Sequence, residues 1–222
     1  PRFTGWDDDG GYAPYARVHE DYAYRIPEGF ADDVAAPLLC SGIIGYRALQ
    51  RSRMFPGARV GIYGFGASAH LAAQIALHRG AIVHVLTRSV AAQQLALELG
   101  CASADDAFAT PPEPLDAAVL FAPVGELVPV ALRALDRGGT LSIAGIHLSD
   151  IPAFGYGDAL FEERSLTSTT ANTRRDGEEL LQLAAEIPLR VTTTVYEAQH
   201  APRALADLAA DRVRGAAVLR FA

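Results

Sequence analysis

Arg59-Val-Gly-Ile-Tyr-Gly-Phe-Gly-Ala-Ser-Ala-His70, a helical run, and then Ala81-Ile-Val-His-Val-Leu-Thr-Arg-Ser89 decide the fold. The order is strand, glycine turn, helix, strand. Val60 and Ile62 lie in a short apolar run that stops at Gly64. Gly64, Gly66 and Ala69 then fit the spacing G-x-G-x-x-(G/A). The first glycine permits a tight turn, the second lets a pyrophosphate approach the backbone, and a small third residue lets helix pack closely on strand. Leu71, Ala72, Ile75 and Ala76 follow at helical spacing, so amides near Ala67 and Ser68 face the phosphates from a helix N-terminus. This context points to a dinucleotide site. The plainer alternative is a glycine turn that only packs a helix on a sheet.

The rest of the chain is read outward from this unit. Gly10 to Val18 and Ala23 to Ile26 read as short strands, and Pro27-Glu28-Gly29 as a turn. Asp32 or Asp33 is expected to cap a helix reaching Cys40, kinked or split at Pro37. Gly42 to Arg51 is a further helix. Beyond Ser89, a helix ends at Gly100 and the prolines of Asp105 to Pro114 mark a loop. A strand covers Leu115 to Ala122, a helix is marked by Val128, Leu132 and Leu135, and a strand covers Thr140 to Ala144. Gly145 to Gly157 reads as a cleft-lining loop, and Leu166 to Ala171 as a strand. Asp176 with Glu179 reads as a capping box for a helix stopped by Pro188. A strand at Val191 to Tyr196, a helix opened by Pro202 with Leu205, Leu208 and Ala209 on one face, and a strand at Ala216 to Phe221 complete the chain. Strands alternating with helices predict an α/β, doubly wound parallel sheet.

Composition narrows the function. The 222 residues carry a net charge of −7, and every fixed cation is arginine, so no basic surface for nucleic acid is expected. No apolar run is long enough to cross a bilayer. Cys40 and Cys101 form no metal or redox motif with each other, and a cytoplasmic, reducing setting is expected.

Several blocks carry a family resemblance: Gly10-Gly-Tyr-Ala-Pro-Tyr-Ala16, Ile26-Pro-Glu-Gly29, Ala36-Pro-Leu-Leu-Cys-Ser-Gly-Ile-Ile-Gly-Tyr-Arg-Ala-Leu49 and Gly64-Phe-Gly-Ala-Ser-Ala-His70. Asp136-Arg-Gly-Gly139 and Arg212-Val-Arg-Gly215 continue it. The chain resembles the C-terminal two-thirds of zinc-dependent, medium-chain alcohol dehydrogenases of the propanol-preferring type. The resemblance implies a division into 1–41, the last part of a GroES-like catalytic domain; 42–172, a Rossmann dinucleotide-binding domain; and 173–222, a return to the catalytic domain. It also implies that the chain is a fragment, inactive alone, lacking upstream zinc ligands.

What the resemblance implies for single residues is more specific. Cys40 corresponds to a catalytic zinc ligand, although alone it also reads as a core cysteine. Gly64, Phe65, Gly66, Ala67, Ser68 and Ala69 correspond to the phosphate turn. Thr87 and Arg88 stand at the adenosine ribose, where Arg88 in place of an acidic residue favours NADP over NAD; Arg88 stacked on adenine is the alternative. Ala122 and Pro123 correspond to contacts near the adenosine ribose, and Ala144, Gly145 and Ile146 to backbone contacts with the nicotinamide carboxamide. Relatives often carry Thr where this chain has Ile44, and Arg on the pyrophosphate where it has Ala216; Arg214 is a candidate substitute. His147, Phe154 and Tyr156 are candidates for the substrate pocket, while the remaining histidines read as structural or solvated. No residue of the chain is assigned as catalytic.

The implied activity is alcohol/aldehyde interconversion with NAD(P) and zinc, on small substrates, by a homodimer or homotetramer. Two alternatives stand beside it: a zinc-free quinone or enoyl reductase of the same superfamily, and a cofactor-binding redox sensor.

Overall fold

A computed structural model describes residues 4–210 and 212–221. Six parallel strands form one sheet: β1 (Arg59–Tyr63), β2 (Ile82–Leu86), β3 (Ser103–Asp105), β4 (Leu115–Leu120), β5 (Leu135–Ile143) and β6 (Ser165–Ser168). Their spatial order is β3-β2-β1-β4-β5-β6, the doubly wound arrangement. Two further strands, β7 (Thr193–Glu197) and β8 (Ala216–Arg220), pair in parallel as a separate small sheet. The helices are α1 (Asp32–Ala35), α2 (Ser41–Arg51), α3 (Ala67–His78), α4 (Val90–Glu98), α5 (Leu127–Ala134), α6 (Tyr156–Ala159), α7 (Arg174–Glu186) and α8 (Ala201–Ala209).

Strand alternation sorts the core onto two faces. Val60, Ile62, Val83 and Val85 pack under α2, α3, α4 and α7, where Ile43, Leu49, Ile75, Ala96 and Leu180 are buried. Tyr63, Leu86, Leu120 and Leu141 pack on the other face under α5, with Val128 and Leu132. The one charge inside β4, Asp116, meets Arg59 at the start of β1: Arg59 donates from its backbone amide, Nε and Nη2, and also reaches Asp136. The charge thus sits at the sheet's rim, where it is paired rather than buried alone.

Several local expectations are corrected. Gly10 to Val18 and Ala23 to Ile26 are not strands; a strand needs a neighbour for its amides and carbonyls, and these segments pair with none among the described residues. Pro37 does split its helix: α1 gives way to a 3-10 turn over Ala36–Leu39, but the cap is Ala31, with Asp32 and Asp33 inside the first turn. Asp105 belongs to β3, too short for periodicity to announce. Leu135 starts β5 instead of ending a helix. Asp176 is the far member of a capping box whose first member is Thr173, and Glu179 instead accepts a hydrogen bond from the Tyr46 hydroxyl at 2.7 Å. On α8, Leu205 and Leu208 are exposed and Ala204 is buried.

Candidate functional site

The glycine turn lies at the carboxyl end of β1, where the chain leaves the sheet for α3. Gly64 is gripped from both neighbours: its amide donates to the Leu86 carbonyl at 2.8 Å, and the amides of Phe121 and Ala122 donate to the Tyr63 carbonyl at 2.8 and 3.1 Å. Its φ of +84° is in the left-handed region that favours glycine. Gly66 differs. Its φ is −97°, and a Cβ built there meets no heavy atom within 4 Å. Neither backbone strain nor protein packing requires glycine at Gly66. What its bare α-carbon provides is open approach to the start of α3, whose first amides have no intrahelical acceptors. These features fit a dinucleotide pyrophosphate.

The neighbouring turn residues divide into core and cradle. Phe65 and Ala69 are buried in the core on the α3 face, so the Phe65 side chain serves packing. His70 places Nδ1 3.2 Å from the Gly66 carbonyl oxygen, so the tautomer protonated at Nδ1 braces the turn. Its Nε2 is buried with no hydrogen-bond partner among the described residues. Burial pushes the His70 pKa down and keeps the ring neutral. The sequence offered no spacing that distinguished this brace from an ordinary core histidine.

The other expected cofactor residues gather at the same edge. Thr87 is buried, with its amide on the Asp105 carbonyl and its own carbonyl accepting from Gln93. Arg88 follows at the surface, and Ser89 caps α4. Ala122 and Pro123 leave β4 beside Gly64. Ala144 extends β5, donating its amide to the Leu120 carbonyl at 2.9 Å. Gly145 is half-buried, while Ile146 is 99% exposed and His147 is exposed. All these positions stand at the carboxyl ends of β1, β2, β4 and β5. Because β1 and β4 are neighbours, they flank the point where successive strands turn to opposite sides, the usual crevice for a ligand in such sheets. Of the candidate pocket residues, Phe154 packs on the α5-side core and Tyr156 makes an edge contact with Phe161 at 5.8 Å.

Cys40 sits where the 3-10 turn ends and α2 begins, and it is exposed. Its amide donates to the Pro37 carbonyl and its carbonyl accepts from the Ile44 amide. Among the described residues no three His, Cys, Asp or Glu side chains converge as a metal site. A tetrahedral zinc site needs about four ligands, so these residues alone do not fit the ion. Cys101 is buried, and burial pushes its thiol up to about 12, which leaves it unreactive.

No family model matches the chain. Over 218 residues, 98% of the chain, it is 56% identical to the probable alcohol dehydrogenase AdhA of Mycobacterium tuberculosis, and it covers 63% of that protein. The chain belongs to the alcohol dehydrogenase family. It is also 30% identical over 225 residues to an alcohol dehydrogenase of Geobacillus stearothermophilus, covering 66% of it. The chain therefore spans about two thirds of the length of these curated relatives. The crystal structure of the alcohol dehydrogenase from the archaeon Aeropyrum pernix superposes with a TM-score of 0.87 at 26% identity, over 99% of this chain and 68% of that one. Family membership agrees with the doubly wound parallel sheet. No helix among the described residues is long and apolar enough to cross a membrane.

Proposed function

We propose that this chain carries the cofactor-binding part of an NAD(P)-dependent alcohol dehydrogenase acting on small alcohols and aldehydes. The observation that carries the reading is the open approach to Gly66 at the switch point, beside a Gly64 that has no such space. A bound nicotinamide would supply the hydride acceptor for alcohol oxidation. The chain's residues bind and orient: amides at the start of α3 face the pyrophosphate, and the backbone of Ala144 to Ile146 borders the nicotinamide half. The remaining turn contacts are assigned to Phe65, Ala67, Ser68 and Ala69, and the adenosine-ribose contacts to Ala122 and Pro123. The division into residues 1–41, 42–172 and 173–222 is part of the same proposal.

Arg88, next to Thr87 at the end of β2, supports NADP over NAD, because a guanidinium can pair with a 2′-phosphate. For zinc, Cys40 is proposed as one thiolate ligand, and any further ligands would come from outside the described residues. Pairing of subunits through the cofactor-domain sheet, and a cytoplasmic setting, are proposed with it.

The test is turnover. Full-length enzyme should reduce NADP+ in the presence of a simple primary alcohol, followed through the absorbance of the reduced nicotinamide. Tight dinucleotide binding with no alcohol-dependent reduction across simple alcohols would favour a redox-sensing module instead.

A further inference from the structure

The backbone from Gly145 to Leu148 forms an arch between two anchors. At one end, the Ala144 amide is bound to the Leu120 carbonyl. At the other, the Ser149 amide donates to the Pro123 carbonyl at 3.3 Å, and the Ser149 hydroxyl accepts from the Gly125 amide at 2.8 Å. The same hydroxyl reaches Glu126 Oε2 at 3.5 Å. The second anchor is tight. A Cβ on Gly125 would overlap the Asp150 carbonyl oxygen and lie 2.5 Å from that of Ser149. Those are backbone atoms, so no side-chain rotation relieves the clash. The arch is closely folded as well, since a Cβ on Gly145 would come within 3.0 Å of the His147 carbonyl oxygen.

We infer that the clasp between Ser149 and Gly125 is a positioning device for the nicotinamide half of the cofactor. The inference rests on the dinucleotide reading above. The contacts assigned to Ala144, Gly145 and Ile146 are made by backbone, so their geometry is set by what pins the arch and not by these side chains. Ile146 points its bulk into solvent and cannot hold the arch by packing. Ser149 and Gly125 do hold it, tying the end of β5 to the segment between β4 and α5. The Ser149 hydroxyl meets Gly125 and Glu126, which lie outside the turn at Gly64 to Ala69, the Thr87-Arg88 corner and the Ala122-Pro123 pair assigned to the adenosine ribose; Pro123 accepts only from the Ser149 backbone amide. The clasp therefore acts on one half of the ligand.

The experiment compares two ligands on the full chain: NADPH, and the fragment 2′-phospho-ADP-ribose, which lacks nicotinamide. Ser149→Ala should weaken NADPH binding about fivefold, the loss expected for one hydrogen bond, and leave the fragment's affinity unchanged. Ser149→Thr, which keeps the hydroxyl, should restore NADPH binding. Gly125→Ala should act in the same direction and more strongly; if it fails to fold, the Ser149 pair still decides. Equal weakening of both ligands by Ser149→Ala, or of neither, would overturn the clasp and leave the dinucleotide reading standing. Failure of the wild-type chain to bind either ligand would overturn both.

Discussion

A Cβ on Gly64 would lie 2.8 Å from the backbone nitrogen of Ala122. The glycine that turns the chain out of β1 is thus pressed against the end of β4, while Gly66, two residues on, faces open space. The motif's two leading glycines have different physical causes. One is demanded by the fold, and the other is free to serve a ligand.

Gly64→Ala should therefore be a stability mutant. Left-handed strain and the backbone clash together should cost about 2–4 kcal/mol. Urea unfolding of the chain measures this, and loss of dinucleotide affinity should follow from the displaced turn.

Gly66→Ala should separate the two properties. Its backbone conformation suits alanine, so stability should stay within about 0.5 kcal/mol of wild type. Dinucleotide affinity should fall by about tenfold or more, because the added methyl group stands where the pyrophosphate approaches. Unfolding and ligand titration on one preparation give both numbers.

Tyr46 ties three helices. Its hydroxyl donates to Glu179 on α7 and accepts from Gln50 on α2 and from Arg79 beyond α3, and the Arg79 guanidinium also stands 4.9 Å from its ring centre. Tyr46→Phe should cost about 1–2 kcal/mol through the lost hydrogen bonds, with little change in dinucleotide affinity. Thermal unfolding checks the first half and titration the second.

Acid should weaken the fold in two windows. Burial depresses the His70 pKa below 6.5, so its neutral form is favoured on folding; that stability is present above pH 6.5 and is lost as pH falls through the depressed value. Hydrogen bonds from Arg59 depress Asp116 below 3.8, so its share is present above that pH and is lost lower still. His70→Asn, which keeps a donor for the Gly66 carbonyl, should flatten only the upper window, and Asp116→Asn only the lower. Melting temperature against pH checks both.

Much of the sheet was legible because its signals are local. The spacing of Gly64, Gly66 and Ala69, the apolar run of β2 and the proline at position 37 each act within a few residues. Pairing is not local. Residues 10–26 have strand-like composition but no pairing strand among the described residues, so their chemistry misled. The Tyr46 hydroxyl meets Glu179 across 133 positions, and Gly125 meets Ser149 across 24; no pattern in either segment announces the contact. In the site, residue types marked the turn, but only coordinates distinguish Gly64 from Gly66, draw Phe65 into the core and set His70 on the Gly66 carbonyl.

The proposed dinucleotide site is the open face at Gly66. Titration of the chain with NADPH, followed by fluorescence, tests it most directly when wild type and Gly66→Val are compared. Saturable binding to wild type, competed by 2′-phospho-ADP-ribose and lost in a Gly66→Val chain that still unfolds cooperatively, is the predicted result. No saturable binding, or equal affinity in a folded Gly66→Val chain, would contradict it.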